Sequence, residues 1–167
     1  HLNDRYGIAA SRGCPYSCTY CSNSYMAKNL YSSEWSKLRF RSATYVMEEL
    51  RVVKNRFPNI TRINFYDETF RPDKLWLRDF FARYKKEIGL SFYCEVYPGS
   101  CDEEMVKIMK DGMLSGVWIG VQSGSERVRR EVFKRYYTNA LILKQADLFN
   151  RYGISVRYDF IFDNPFE

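Results

Sequence analysis

Short β-type runs alternate with helical stretches along this chain, and that alternation restricts the fold more than any other feature. Residues 6–10 (YGIAA) read as a short first strand, and a polar loop follows the nearby cysteines to about Arg41. In 42–57, Val46, Leu50, Val53 and Phe57 recur at helical spacing, with Ser42 placed as N-cap and Pro58 as the stop. Ile63 and Phe65 alternate with polar neighbours in TRINFYD, the second strand. Pro72 and Asp73 open a helix that runs to about Ile88 and ends at Gly89. SFYCEVY (91–97) is the third strand. Ser100 and Glu103 form an S-x-x-E capping box for the next helix, which Gly112 stops. GVWIGV (116–121) is the fourth strand, and Ser125 caps a short basic helix, SERVRREVFKR. A further helical stretch ends at Gly153, and ISVRYDFIF (154–162) is the fifth strand before Pro165.

Strands that alternate with helices predict an α/β fold with a parallel sheet. About five β/α units cannot close an eight-stranded barrel, so the expectation is an open or partial barrel. No helix follows the last strand, and the expectation is one incomplete domain, 1–167, cut inside its C-terminal end. A chain of 167 residues, 46% hydrophobic and 17% aromatic, can build one globular core. Its apolar runs fall far short of the ~20 residues of a membrane span.

The first strand leads directly into SRGCPYSCTYCSNS, where Cys14, Cys18 and Cys21 are spaced C-x-x-x-C-x-x-C. Five cysteines, an odd number with three clustered, argue against a disulfide scaffold and for thiolate metal ligands in a reduced, cytoplasmic compartment. Zinc would need a second nearby ligand pair. Cys94 and Cys101 lie far along the chain, with C-x6-C spacing, and the one histidine is His1. They read as a buried thiol and a helix-start residue. A [4Fe–4S] cluster normally takes four cysteines, so three would leave one iron open, as in a catalytic site. The net charge of +6 comes from scattered Lys and Arg with no run longer than two, which reads as a solvated surface and argues against nucleic acid.

The cysteine motif, with Tyr20 just before its last cysteine, resembles the radical S-adenosylmethionine superfamily. FYDETF (65–70), GVWIGVQSGSERV (116–128) and DFIFDNPFE (159–167) resemble the branch of that family which carries a cobalamin-binding domain. The resemblance covers nearly the whole chain. It implies a partial (β/α)6 barrel with a [4Fe–4S] cluster on Cys14, Cys18 and Cys21 and S-adenosylmethionine on the open iron. It further implies reductive cleavage to a 5′-deoxyadenosyl radical, a small-molecule substrate and an electron donor of the flavodoxin or ferredoxin type. It places a cobalamin-binding domain upstream and a substrate segment downstream, outside this chain.

The same resemblance points to Tyr20, Asp67, Glu68, Glu95, Gln122 and Ser123 as cofactor-binding candidates, with no catalytic residue named. Gln122 stands where the family usually has Glu, and an amide still hydrogen-bonds ribose hydroxyls but not as an anion. The family's Gly-Gly-Glu stretch is absent, and Asp67, Glu68 and Thr69 occupy its place. Each candidate also has a plain structural reading: a packed aromatic for Tyr20, a turn acid or helix cap for Asp67 and Glu68, an internal pair for Glu95. Arg157 and Asp159 alternate to one face of the fifth strand, as barrel lining or an ion pair. Two other functions fit the cysteines: a non-catalytic metal-stabilised module that binds RNA, and a methylthiotransferase-like tRNA-modifying enzyme.

Overall fold

Alternating burial along the strands sets the architecture. In the computed structural model, which describes residues 4–30, 37–70 and 72–167, five strands form one parallel sheet. They are β1 (Arg5–Ile8), β4 (Arg62–Phe65), β5 (Ser91–Val96), β6 (Leu114–Gln122) and β7 (Ser155–Phe160), paired in that order. Each new strand adds to the same edge, which is the winding of a β/α barrel. The edge strands β1 and β7 do not pair with each other. A small antiparallel ribbon, β2 (Ser11–Arg12) with β3 (Arg39–Phe40), flanks the sheet.

One face of the sheet is sealed by helices. Phe92, Cys94 and Val96 of β5 and Val117, Ile119 and Val121 of β6 are buried, two residues apart, as a pleated strand requires. They share one core with apolar residues of α2 (Ala43–Arg56), α3 (Lys74–Glu87), α4 (Glu103–Asp111) and α5 (Asn139–Arg151). Phe65, Phe81 and Phe92 lie at its centre, with Phe81 stacked on Phe92 at 4.8 Å. The intervening residues Tyr93, Glu95, Trp118 and Gln122 belong to the other, open face. Gly116 keeps that face low: a Cβ there would meet the Tyr93 ring at 2.3 Å.

The helix signals mostly hold. The Ser42 side chain accepts from the Tyr45 N–H, and Asp73 accepts from the Trp76 N–H at 2.8 Å. Asp102, not Ser100, caps α4 by accepting from the Met105 N–H at 2.9 Å. Its carboxylate also binds Lys74 and favours the helix N-terminus electrostatically. Within the segment expected as loop, Ser22–Asn29 forms a helix, α1. It buries no residue, so it leaves no apolar period in the sequence. The first strand ends at Ile8, and the basic stretch after β6 widens into a π-helical turn, Val128–Val132.

Candidate active site

The loop after β2 carries the cysteines and is pinned from below. Gly13 takes φ +90°, a left-handed conformation that turns the chain into the loop. The Cys21 N–H donates to the Cys18 carbonyl at 3.1 Å, and Cys21 becomes the N-cap residue of α1 without using its thiol as a cap. Thr19 ties the loop to the π-helical turn: its N–H donates to the Phe133 carbonyl at 3.3 Å and its hydroxyl to the Val132 carbonyl at 2.6 Å. Insertions of this kind in helices often mark functional sites.

All three cysteines open onto one cavity of about 190 Å³. Its other wall is the open face at the C-terminal ends of the strands: Glu95, Trp118, Gln122 and Asp159, with Glu68 also lining it. That is the end where β/α barrels place their chemistry. Gln122 reaches this wall by an irregular backbone. It takes φ +69° where the register between β6 and β7 shifts, which re-aims its side chain.

The cavity is electrostatically unequal. Burial pushes the Cys14 thiol up, offset by a hydrogen bond from the Tyr16 backbone and reinforced by Cys18, Cys21 and Glu68. Burial, then the charges of Asp159, Glu68 and Asp67, pushes Glu95 up to about 7. Asn23 of α1 donates to Glu68. Among the described residues, the one cation in the wall is Arg135, which is 7% exposed. It donates to the Tyr20 hydroxyl at 2.9 Å, the Gly120 carbonyl at 2.8 Å and the Tyr137 hydroxyl at 2.7 Å. Its guanidinium carbon lies 4.4 Å from the centre of the Tyr97 ring, which stacks on Tyr16 at 3.6 Å.

Three thiols of one loop lining one cavity are, in their chemistry, the donor set of an iron–sulfur cluster. Among the described residues, no three His, Cys, Asp or Glu side chains converge on a single-ion position. A cubane asks for something different, thiolates spread around a cavity with each on its own iron. Tyr20, Glu68, Glu95 and Gln122 therefore meet the cysteines in one cleft, while Asp67 and Ser123 lie outside its lining. Asp67 is buried and accepts from the Ser11 hydroxyl and from the Ala10 N–H at 3.2 Å, so it fixes the strand end that launches the loop. The Ser123 hydroxyl accepts from the Ser125 N–H at 3.0 Å, a local turn contact, and donates to Glu167 far along the chain. Arg157 sits over the Trp118 ring at 5.9 Å, while Asp159 lines the cleft. Arg135, Trp118 and Tyr97 escaped the sequence reading. Tyr97 lies two residues beyond Glu95, a spacing that could have found it, whereas nothing local distinguishes Arg135 from its basic neighbours.

Comparison with known proteins places the chain in a family. Residues 8–165 match the Radical SAM superfamily. The chain belongs to that superfamily. Its members are enzymes that use a [4Fe–4S] cluster and S-adenosylmethionine. The chain is 31% identical over 122 residues to an uncharacterized methyltransferase of Pyrococcus horikoshii, covering 72% of this chain and 25% of that protein. It is 27% identical over 131 residues to cytidylyl-2-hydroxyethylphosphonate methyltransferase of Streptomyces wedmorensis, covering 77% of this chain and 23% of that one. The chain thus spans about a quarter of the length of these curated relatives.

Solved structures share the fold. The radical S-adenosylmethionine methyltransferase TsrM from Kitasatospora setae, with cobalamin and a [4Fe–4S] cluster bound, superposes with TM-score 0.74 at 18% identity, over 92% of this chain and 30% of that one. The cobalamin-dependent S-adenosylmethionine radical enzyme OxsB superposes with TM-score 0.75 at 20% identity, over 93% of this chain and 23% of that one. In this chain the shared fold is represented by a parallel sheet of five strands.

Proposed function

We propose that this chain is the catalytic core that cleaves S-adenosylmethionine reductively at a [4Fe–4S] cluster held by Cys14, Cys18 and Cys21. One observation carries the reading: three thiols of one loop open onto a single cavity at the C-terminal ends of a parallel sheet. When bound, the cluster and S-adenosylmethionine supply one-electron cleavage of the sulfonium bond, giving methionine and a 5′-deoxyadenosyl radical. The chain's own residues bind and orient. Asp159 and Glu68 make the far wall anionic, and Glu95, with its pKa raised to about 7, gives up its proton readily beside a bound ammonium group. Gln122 offers an amide that both donates and accepts toward hydroxyl groups. Trp118 gives the floor an aromatic surface, and Tyr20 closes the side next to Cys18.

The substrate is proposed to be a small molecule, and the outcome hydrogen abstraction or cobalamin-dependent methyl transfer. Both curated relatives carry methyltransferase names, which favours methyl transfer. The domain assignment, 1–167 as a radical S-adenosylmethionine core beside separate cobalamin and substrate segments, is part of the same proposal. So are a cytoplasmic location and an electron donor of the flavodoxin or ferredoxin type. Among the described residues, no helix is long and apolar enough to cross a membrane.

The test is anaerobic incubation of the full-length, cluster-loaded protein with S-adenosylmethionine and dithionite, followed by chromatography. 5′-Deoxyadenosine and methionine should accumulate with the wild type and not with Cys14→Ala. A loaded protein that leaves S-adenosylmethionine intact contradicts the proposal.

A further inference from the structure

Arg135 presents an electrostatic problem that its neighbours do not solve. It is a buried cation, and among the described residues it forms no ion pair with Asp or Glu. Burying an unpaired charge is costly, so a counter-charge is needed. The rings of Tyr97 and Tyr137, at 4.4 and 5.1 Å, offset part of that cost through their electron-rich faces. Its remaining contacts are neutral oxygens on Gly120, Tyr20 and Tyr137. One further contact is different: Nη1 donates toward the Cys18 sulfur at 3.4 Å. A neutral thiol is a weak acceptor there, and a thiolate is the missing anion.

We propose that Arg135 is a positioning residue that sets the reduction potential of the cluster through Cys18, with the Tyr20 hydroxyl held beside it by the same guanidinium. This rests on the cluster assignment above. Reduction adds one electron, from an external reductant, to a cluster whose sulfur ligands share the new negative charge. A fixed cation and an N–H···S bond stabilise that reduced state more than the oxidised one. Arg135 is well placed to hold still while it does so. Its other nitrogens are fixed on Gly120 and Tyr137, and two rings confine its plane. Lysine would keep the charge and lose this fork.

The test is a redox titration of the full-length protein after anaerobic loading, read by electron paramagnetic resonance, with iron counted first. Arg135→Met should disfavour reduction about tenfold, a shift of about 59 mV to more negative potential for one electron. Arg135→Lys should recover part of the shift, and Tyr20→Phe should give a smaller shift in the same direction. A purely packing role would change melting or iron content and leave the potential alone. Wild-type iron with a wild-type potential in Arg135→Met overturns the inference. If Arg135→Met fails to hold a cluster, unchanged potentials in both Arg135→Lys and Tyr20→Phe overturn it equally. A wild-type protein that takes up no iron is a separate result: it overturns the cluster assignment, and this inference with it, before any potential is measured.

Discussion

The two faces of the sheet are built by different rules. On the helix side, Phe65, Phe80, Phe81, Tyr84 and Phe92 fill a dry core with offset and edge-to-face ring contacts between 4.8 and 5.9 Å. Apart from the Tyr84 hydroxyl, which donates to the Leu90 carbonyl at 3.0 Å, these side chains are hydrocarbon. On the open side, inward positions of β5 and β6 carry a carboxylate, an indole and an amide, and the backbone departs from regularity at Gln122. The first face can be exchanged among apolar residues at modest cost. The second holds like charges together and keeps a buried arginine without a carboxylate partner, arrangements that a fold selected for stability alone would avoid.

Breaking one face should leave the other readable. Phe92→Ala, a fully buried ring in contact with Phe65, Phe81 and Tyr84, should lower stability by about 3–5 kcal/mol in denaturant titration. Cys14→Ala should change the stability of the metal-free chain by no more than about 0.5 kcal/mol while removing cluster uptake. Similar stability losses for the two variants would erase the distinction between the faces.

A smaller effect comes from Glu95, whose pKa is raised from its ordinary value of 4.5 to about 7, first by burial and then by Asp159, Glu68 and Asp67. The folded state holds a proton that the unfolded chain has released. The contribution of this group to stability is therefore fully present below about pH 4.5 and is lost as pH rises through about 7. Glu95→Gln, a permanent neutral mimic, should flatten the fall in melting temperature across that window in the metal-free chain. Superimposable pH profiles for variant and wild type would contradict this account of the open wall.

The legibility of the sequence divides along the same line. The five strands and the caps at Ser42 and Asp73 follow from periodicity and side-chain chemistry, and the structure keeps them. Helix α1 was invisible because none of its residues is buried. Asp67 and Ser123 sit where site residues belong, just past strand ends, but residue type and position do not say which way a side chain points. Asp67 turns inward to brace Ala10 and Ser11, and Glu68 next to it lines the cleft. Arg135 lies 114 positions beyond Cys21, in a basic segment with the composition of a solvated helix. Only the fold brings it to Cys18.

If three protein thiolates leave one iron open for S-adenosylmethionine, the reduced cluster must sense the cofactor, and paramagnetic resonance reads this directly. The full-length protein would be loaded anaerobically with iron and sulfide, its iron counted, and its reduced paramagnetic resonance spectrum recorded with and without S-adenosylmethionine. About four irons per chain and a spectrum that changes on adding the cofactor are the predicted result, with both lost in Cys14→Ala. Stoichiometric zinc in place of iron, or a four-iron cluster whose spectrum ignores S-adenosylmethionine, would contradict it.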